Sequence, residues 1–369
     1  MPGNMRIPLS ISILLISSQV FSQIRIVEDT VLYKLLTKGI DHIYNYEFAE
    51  AEDMYDSIAE RIPDHPVLPF YKSMIYYWGY FPLIPDGPGS EEFVQSLEEV
   101  IAISDSILKK NSEDIEAIFY NLASRSFLIL YCADNGLSTK VFSHLGSIYK
   151  GILKAFEIQE QFPDFYFYTG LYNYWVEAYP EAHPIYYPFT ILCKRGDKES
   201  GLTMLEYAFH NAFFMKPEAA DFLSIIYLAF ENNSSKAVYY MKELHHKFPN
   251  NRFFLSRYAE LLLMNKDYEL AKPIIDTLFH LDDYNVMKGY IFRGLYREFH
   301  KKNRERAKKD YLKGIEMSVS FGPRADYQVA YAYIGLSRYY RDKGDSQNAR
   351  KYYKMAKESI SYHYVYENY

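Results

Sequence analysis

Asp164, Glu177 and Glu181 form the carboxylate set best placed by residue type for acid–base work, where one group gives a proton and another takes it. They would have to converge from separated helices near a proline-rich stretch, and that convergence is the condition for an enzyme. No local motif supports catalysis: HExxH, CxxC, GxSxG, a phosphate loop ending in GK and a hydroxyl residue, and GxGxxG are all absent. Gly87 and Gly89 flank Pro88, but the run enters Ser90, Glu91 and Glu92, charges that suit a helix start and repel phosphate. His245 and His246 are adjacent and diverge on a helix, while His42, His65 and His210 sit in separate segments, so no pair has metal-ligand spacing. The expectation is a non-enzymatic protein with no cofactor and no metal.

The candidate binding residues are aromatic: Tyr77 and Trp78 in a cluster with Tyr71, Tyr76 and Tyr80, and Tyr174 and Trp175 in a run that starts at Phe165. Each residue turns about 100° around a helix, so consecutive aromatics cannot all face one core stripe. Some are expected to reach a groove, where they offer area to a peptide or flat faces to sugar rings; plain packing is the competing reading. The run Lys301, Lys302, Arg304, Arg306, Lys308 and Lys309 is interleaved with Asn303, Glu305 and Asp310 and reads as a solvated face.

The elements that carry these residues are helices. Hydrophobic residues are 49% and charged ones 24% of 369, and 39 Tyr and 25 Phe stand against only 17 Gly and 16 Pro, which favours long helices over many short strands. A formal charge of -6 gives no general attraction to phosphate backbones, so no nucleic-acid partner is expected. Arg6, the apolar run Ile7 to Ile16 and Val20-Phe21-Ser22 read as a signal peptide, residues 1–22, cleaved after Ser22. That predicts an exported protein, periplasmic or extracellular, and no later segment is long and apolar enough to span a membrane. Cys132 and Cys193, 61 residues apart, are expected to be two buried thiols rather than a bridge.

Five polar helix starters each stand four residues before a small one: Asp197 and Gly201, Asn233 and Ala237, Asp267 and Ala271, Asn303 and Ala307, Asp345 and Ala349. The gaps between the small residues are 36, 34, 36 and 42 residues, close to the roughly 34-residue unit of a helix-turn-helix solenoid. In the N-terminal half Ala51, Ala102 and Gly151 extend the series to Gly201 at intervals of 51, 49 and 50, and Pro63, Pro163 and Pro249 each fall 12 residues after a small position. Two stretches, Phe81 to Ser90 and Tyr179 to Arg195, carry too many prolines to stay helical and are read as insertions packed on the array.

The unit Tyr333, Leu336, Ser337, Tyr340, Ala349, Tyr353 and Ala356 resembles the tetratricopeptide (TPR) consensus, with Ser337 where glycine is usual. Leu35, Gly39, Ala51, Tyr55, Ile58 and Pro63 look like a second instance, although Lys38 and His42 depart from it. The resemblance implies about seven to eight antiparallel helix pairs stacked into an all-α superhelix, with protein or peptide binding as the usual role. Arg195, Gly196, Asp197, Gly201, Leu202, Leu205 and Ala208, then Ala237, Leu244, Pro249 and Asn250, are also similar to a stretch of the eukaryotic Iml2/TTC39-type TPR-like proteins. The domain reading is a leader (1–22), divergent long-period repeats (23–200) and TPR-like repeats continuous with them (201–369). The expected function is a TPR-like scaffold binding a protein or peptide in the cell envelope, with a glycan-binding module as the alternative.

Overall fold

The computed structural model describes residues 26, 28–182, 193–359 and 365; the predicted leader and residues 183–192 of the second insertion lie outside them. Among the described residues the regular structure is helical: α1 (Thr30–Tyr44), α2 (Phe48–Ala59), α3 (Val67–Gly79), α4 (Ser90–Lys110), α5 (Ile115–Asp134), α6 (Ser138–Ile158), α7 (Phe165–Ala182), α8 (Lys198–Asn211), α9 (Lys216–Ala229), α10 (Ser234–Lys247), α11 (Arg252–Met264), α12 (Tyr268–Leu278), α13 (Asp283–Phe299), α14 (Arg304–Ser318), a 3₁₀ segment (Val319–Ala325), α15 (Asp326–Asp342) and α16 (Ser346–Ser359). They pack as eight successive pairs, α1 with α2 through α15 with α16, and first helices of neighbouring pairs touch along the inner wall.

Local chemistry explains the pairs. The side chains of Asp197, Asn233, Asn303 and Asp345 accept the backbone N–H three residues on, at 2.5 to 3.1 Å, and so cap α8, α10, α14 and α16. Asp267 makes no cap bond, because the Asn265 amide holds its carboxylate at 2.6 Å. The α15–α16 turn places Gly344 at φ 76° and sends the Asp345 N–H back to the Tyr340 carbonyl, at 2.9 Å. The α11–α12 turn repeats this arrangement with Lys266 in the left-handed position.

Ala51, Gly201, Ala237, Ala271, Ala307 and Ala349 are buried between paired helices, as their spacing predicts. A Cβ on Gly201 would lie 2.7 Å from the Tyr174 nitrogen, so α7 and α8 meet backbone to backbone there. In the TPR-like unit the Ser337 hydroxyl donates to the Ala349 carbonyl at 2.7 Å, which binds α15 to α16 and explains a serine at that position.

Ala102 is a correction. The buried stripe of α4 is Phe93, Leu97, Val100 and Ser104, so residue 102 falls on the exposed side and the near-50-residue series is not one small residue per pair. The second insertion also starts later than predicted: α7 continues through Pro180 to Ala182, the ring costing one backbone bond within the last turn. The first insertion behaves as expected. Leu83 is fully buried, and Phe81 packs on Phe253 and Tyr284 at ring distances of 5.3 and 6.1 Å.

The superhelix curls until its first pair meets its fifth and sixth. Tyr44 at the end of α1 lies 5.3 Å from Phe248 and 6.1 Å from Phe254, and its hydroxyl bonds Glu218. Asn251 donates to the Tyr44 carbonyl at 2.8 Å, and Lys247 pairs with Asp41 at 2.7 Å. Phe214, ahead of α9, inserts between Phe70 of α3 and Phe119 of α5. Many tyrosines act as donors to glutamates on neighbouring helices: Tyr174 to Glu231, Tyr227 and Tyr240 to Glu206, Tyr311 to Glu298, Tyr327 and Tyr331 to Glu260. These rings bury area while their hydroxyls satisfy carboxylates, which is the structural use of so many tyrosines.

Candidate functional site

The four predicted binding aromatics divide. Tyr77, Trp78 and Tyr174 are buried, and Trp175 is half-buried. Trp78 is wedged between Tyr44 and Phe254, at 5.4 and 5.6 Å, and Tyr174 is fixed through its hydroxyl to Glu231 at 2.6 Å. Neither presents a face to a sugar ring, which corrects the expectation that they reach the groove. Tyr77 borders a chamber and Trp175 an apolar cavity.

The carboxylate set does not converge. Asp164 is fully buried at the start of α7 and accepts the backbone N–H groups of Phe213, Phe214 and Met215 at 2.8, 2.6 and 2.8 Å. Glu177 and Glu181 lie at the far end of α7, about 20 Å away at 1.5 Å per residue. There Glu177 accepts the Lys198 N–H at 2.8 Å and Glu181 pairs with its ammonium at 2.9 Å. In the basic run Lys301 faces Glu269, Arg304 pairs with Asp342 and Lys308 lies over Tyr339, as a solvated face does. Cys132 is buried and Cys193 half-buried.

Sequence reasoning missed the chamber. It is a half-open hollow of about 480 Å³ between α5, α9, α11, α13, the 3₁₀ segment and α15. Arg257 binds Glu260 at 2.9 Å, while Lys288 reaches the Ser256 hydroxyl at 3.1 Å and lies over the Tyr284 ring. Arg324 pairs with Asp134 through Nη1, but among the described residues its buried Nε and Nη2 have no hydrogen-bond partner, and neither do Asp221 Oδ1 and Gln328 Oε1. Unmet buried donors and acceptors are costly in a folded protein and mark a place where a ligand can supply them. Beyond Leu130 and Phe222 lies a second cavity of about 430 Å³, walled by α5, α6, α7 and α9 and almost wholly apolar.

A third feature lies at the seam between the two ends of the curl. Along the seam where α1 meets α10, two hollows of about 400 Å³ each share Tyr33, Thr37, Asp41 and Lys247 and so form one groove. Exposed Tyr33 and Tyr239 flank it. Lys34, Lys38 and Lys216 also line it, and among the described residues none has a carboxylate within 4.0 Å.

Burial leaves a pH signature. Desolvation pushes Asp164 and Asp221 up to about 6 and Glu218 to about 7, and it pushes Lys288 down to about 8. Between pH 4 and 7 the three acids hold protons in the folded chain that the unfolded chain has lost, so their contribution to stability falls as pH rises. Between about 8 and 10.5 Lys288 is neutral folded but charged unfolded, so its contribution rises. A thermal unfolding series is expected to show a higher midpoint at pH 5 than at pH 7.5, with about 1 to 3 kcal/mol at stake per group. A midpoint that climbs from pH 5 to pH 7.5 would contradict these assignments.

Neither a protein-family model nor a curated protein matches the chain. Solved structures to which it is similar are helical-repeat proteins. The apo form of the quorum sensor NprR from B. thuringiensis is 14% identical, over 90% of this chain and 99% of that one, at a TM-score of 0.38. Yeast Tom70 is 13% identical over 90% and 85%, at 0.40, and a tetratricopeptide repeat protein from Parabacteroides merdae ATCC 43184 is 12% identical over 88% and 98%, at 0.33. With paired helices capped and nested on small residues from Ala51 to Ala349, the chain is an all-α solenoid of TPR-like helix pairs.

Proposed function

We propose that this protein is an exported, non-enzymatic scaffold that holds an acidic segment of a protein partner in the seam groove between α1 and α10. The observation that carries the reading is the groove itself: flanked by exposed Tyr33 and Tyr239, and lined by Lys34, Lys38 and Lys216, which have no carboxylate within 4.0 Å among the described residues, together with Asp41, Glu47 and Glu243. Tyrosines give large contact area at low entropy cost, and lysines give attraction to carboxylates and a salt-sensitive encounter. Export rests on the pattern of residues 1–22, and the lack of a converged catalytic set supports binding over chemistry.

Crosslinking in intact cells, followed by identification of captured proteins, tests the reading. The wild-type chain is expected in the exported fraction, joined to a partner, and a Lys34→Glu, Lys38→Glu, Tyr239→Ser variant is expected to lose that partner while its helix content is unchanged. Recovery of the chain unlinked, or an identical set of captured proteins from the variant, would refute the groove assignment.

A further inference from the structure

The chamber and the apolar cavity are neighbours that share Leu130 and Phe222 in their linings. On α5, Phe127 lines the cavity, Leu130 lines both spaces and Asp134 lines the chamber. On α9, Glu218 lines the cavity, Phe222 both, and Ile225 the chamber. Residues three or four apart on a helix are about one turn, or 5 Å, apart along it, so the charged end begins about one turn beyond Leu130 and Phe222.

At the charged end Arg257, Lys288 and Arg324 share the lining with Asp134, Asp221, Glu260 and Asp326, but the cations are unevenly paired. Lys288 is 3% exposed and has no carboxylate within 4.0 Å among the described residues. The Arg324 side chain is 5% exposed, and two of its nitrogens have no hydrogen-bond partner among the described residues. Asp221 lies 4.0 Å from Arg257, and its Oδ1 has no hydrogen-bond partner among the described residues.

The apolar end offers few polar groups to a peptide backbone. The Ser126 hydroxyl is spent on the Leu122 carbonyl at 2.8 Å, and that of Tyr172 on the Lys194 carbonyl at 2.7 Å. Glu218 takes the Tyr44 hydroxyl on one oxygen and leaves the other bare at the cavity edge. Amide groups entering this space would stay unpaired, whereas an unbroken hydrocarbon would not. A space of about 430 Å³ is within the usual range of small-ligand pockets, about 300 to 1,000 Å³.

We propose that this site binds a linear acyl carboxylate, a fatty-acid-like monoanion whose head meets Arg324 and Lys288 and whose tail passes between Leu130 and Phe222 to lie against Trp175. The site is separate from the seam groove and independent of the partner reading above. Burial raises the Glu218 carboxyl to about 7, so the bare oxygen near the tail is partly protonated at neutral pH.

The test uses the full chain, stripped of bound lipid, and titrates it with sodium laurate below its micellar concentration, reading tryptophan fluorescence and calorimetry. Saturable binding at one site is expected. Lys288→Met removes a buried ammonium without leaving a carboxylate unpaired, so it should fold, and it is expected to weaken laurate at least tenfold while leaving dodecanol unchanged. Val176→Trp, which fills the apolar end, is expected to abolish binding of both, with circular dichroism confirming intact helices. Absent saturable binding, dodecanol held as tightly as laurate, laurate unaffected by Lys288→Met, or displacement of laurate by a tetrapeptide ending in leucine would each overturn the assignment. Partner capture by the seam groove is read with different variants, so the two proposals fail separately.

Discussion

Replacing Asp164 with alanine is expected to lower stability by about 3 to 5 kcal/mol, because it strands three backbone N–H groups in a space that water cannot enter. The first turn of α9 leaves donors unpaired, and Met215 at its N-cap has no side chain able to accept them. Asp164, 49 to 51 residues earlier in the chain, accepts the N–H groups of Phe213, Phe214 and Met215 instead, capping the approach to α9 from the turn between α6 and α7. Burial opposes the charge and the three donors favour it, and the balance leaves the carboxyl at about 6. Asp164→Asn keeps one acceptor oxygen but turns an amide donor toward an N–H, so a smaller loss of about 1 to 3 kcal/mol is expected. Urea titration followed by circular dichroism reads both variants. A solenoid need not unfold in one step, and a separate early transition in Asp164→Ala would place the loss at the α7–α9 junction. An unchanged midpoint would mean that the three donors find other partners.

Asp164 also shows where reading the sequence stops. The helix pairs were visible because a cap, a small residue and a turn are local: Asn233 with Ala237, or Gly344 with Asp345, act within one or two helical turns. Asp164 has partners fifty residues away, and no spacing rule reaches that far. The chamber was hidden for the same reason. Arg257, Lys288 and Arg324 are isolated charges on α11, α13 and the 3₁₀ segment, and only superhelical curvature brings them together. Closure of α1 on α10 and α11 likewise depends on the accumulated rotation of five pairs, to which Tyr44 and Phe254 give no individual clue. Ala102 failed in the opposite way. A small residue at a plausible interval marks no helix contact there, because the stripe of α4 is set by its large residues, Phe93, Leu97 and Val100. The aromatic clusters stand out in the sequence, but composition shows tyrosine as contact surface and not as a donor, so its pairing with glutamates is not legible there.

One of those pairings sets the second large effect. Glu298 of α13 accepts Arg338 Nε at 2.7 Å, Arg338 Nη2 at 2.8 Å and the Tyr311 hydroxyl at 2.7 Å, which ties α13, α14 and α15 through one carboxylate. The Glu298 and Arg338 side chains are 2% and 5% exposed. Glu298→Ala leaves a guanidinium and a phenol buried without their acceptor, and a loss of about 3 to 5 kcal/mol is expected. Tyr311 has no room to move away, because Cβ atoms at Gly294 and Gly335 would lie 2.4 and 2.2 Å from its ring. The pair itself has no comparable net value, since removing two charges from water costs nearly what their attraction returns. A Glu298→Leu, Arg338→Met, Tyr311→Phe triple variant, which removes every member together, is therefore expected to recover most of the loss. If the triple variant is as unstable as Glu298→Ala, the carboxylate contributes through packing and not by balancing buried polar groups.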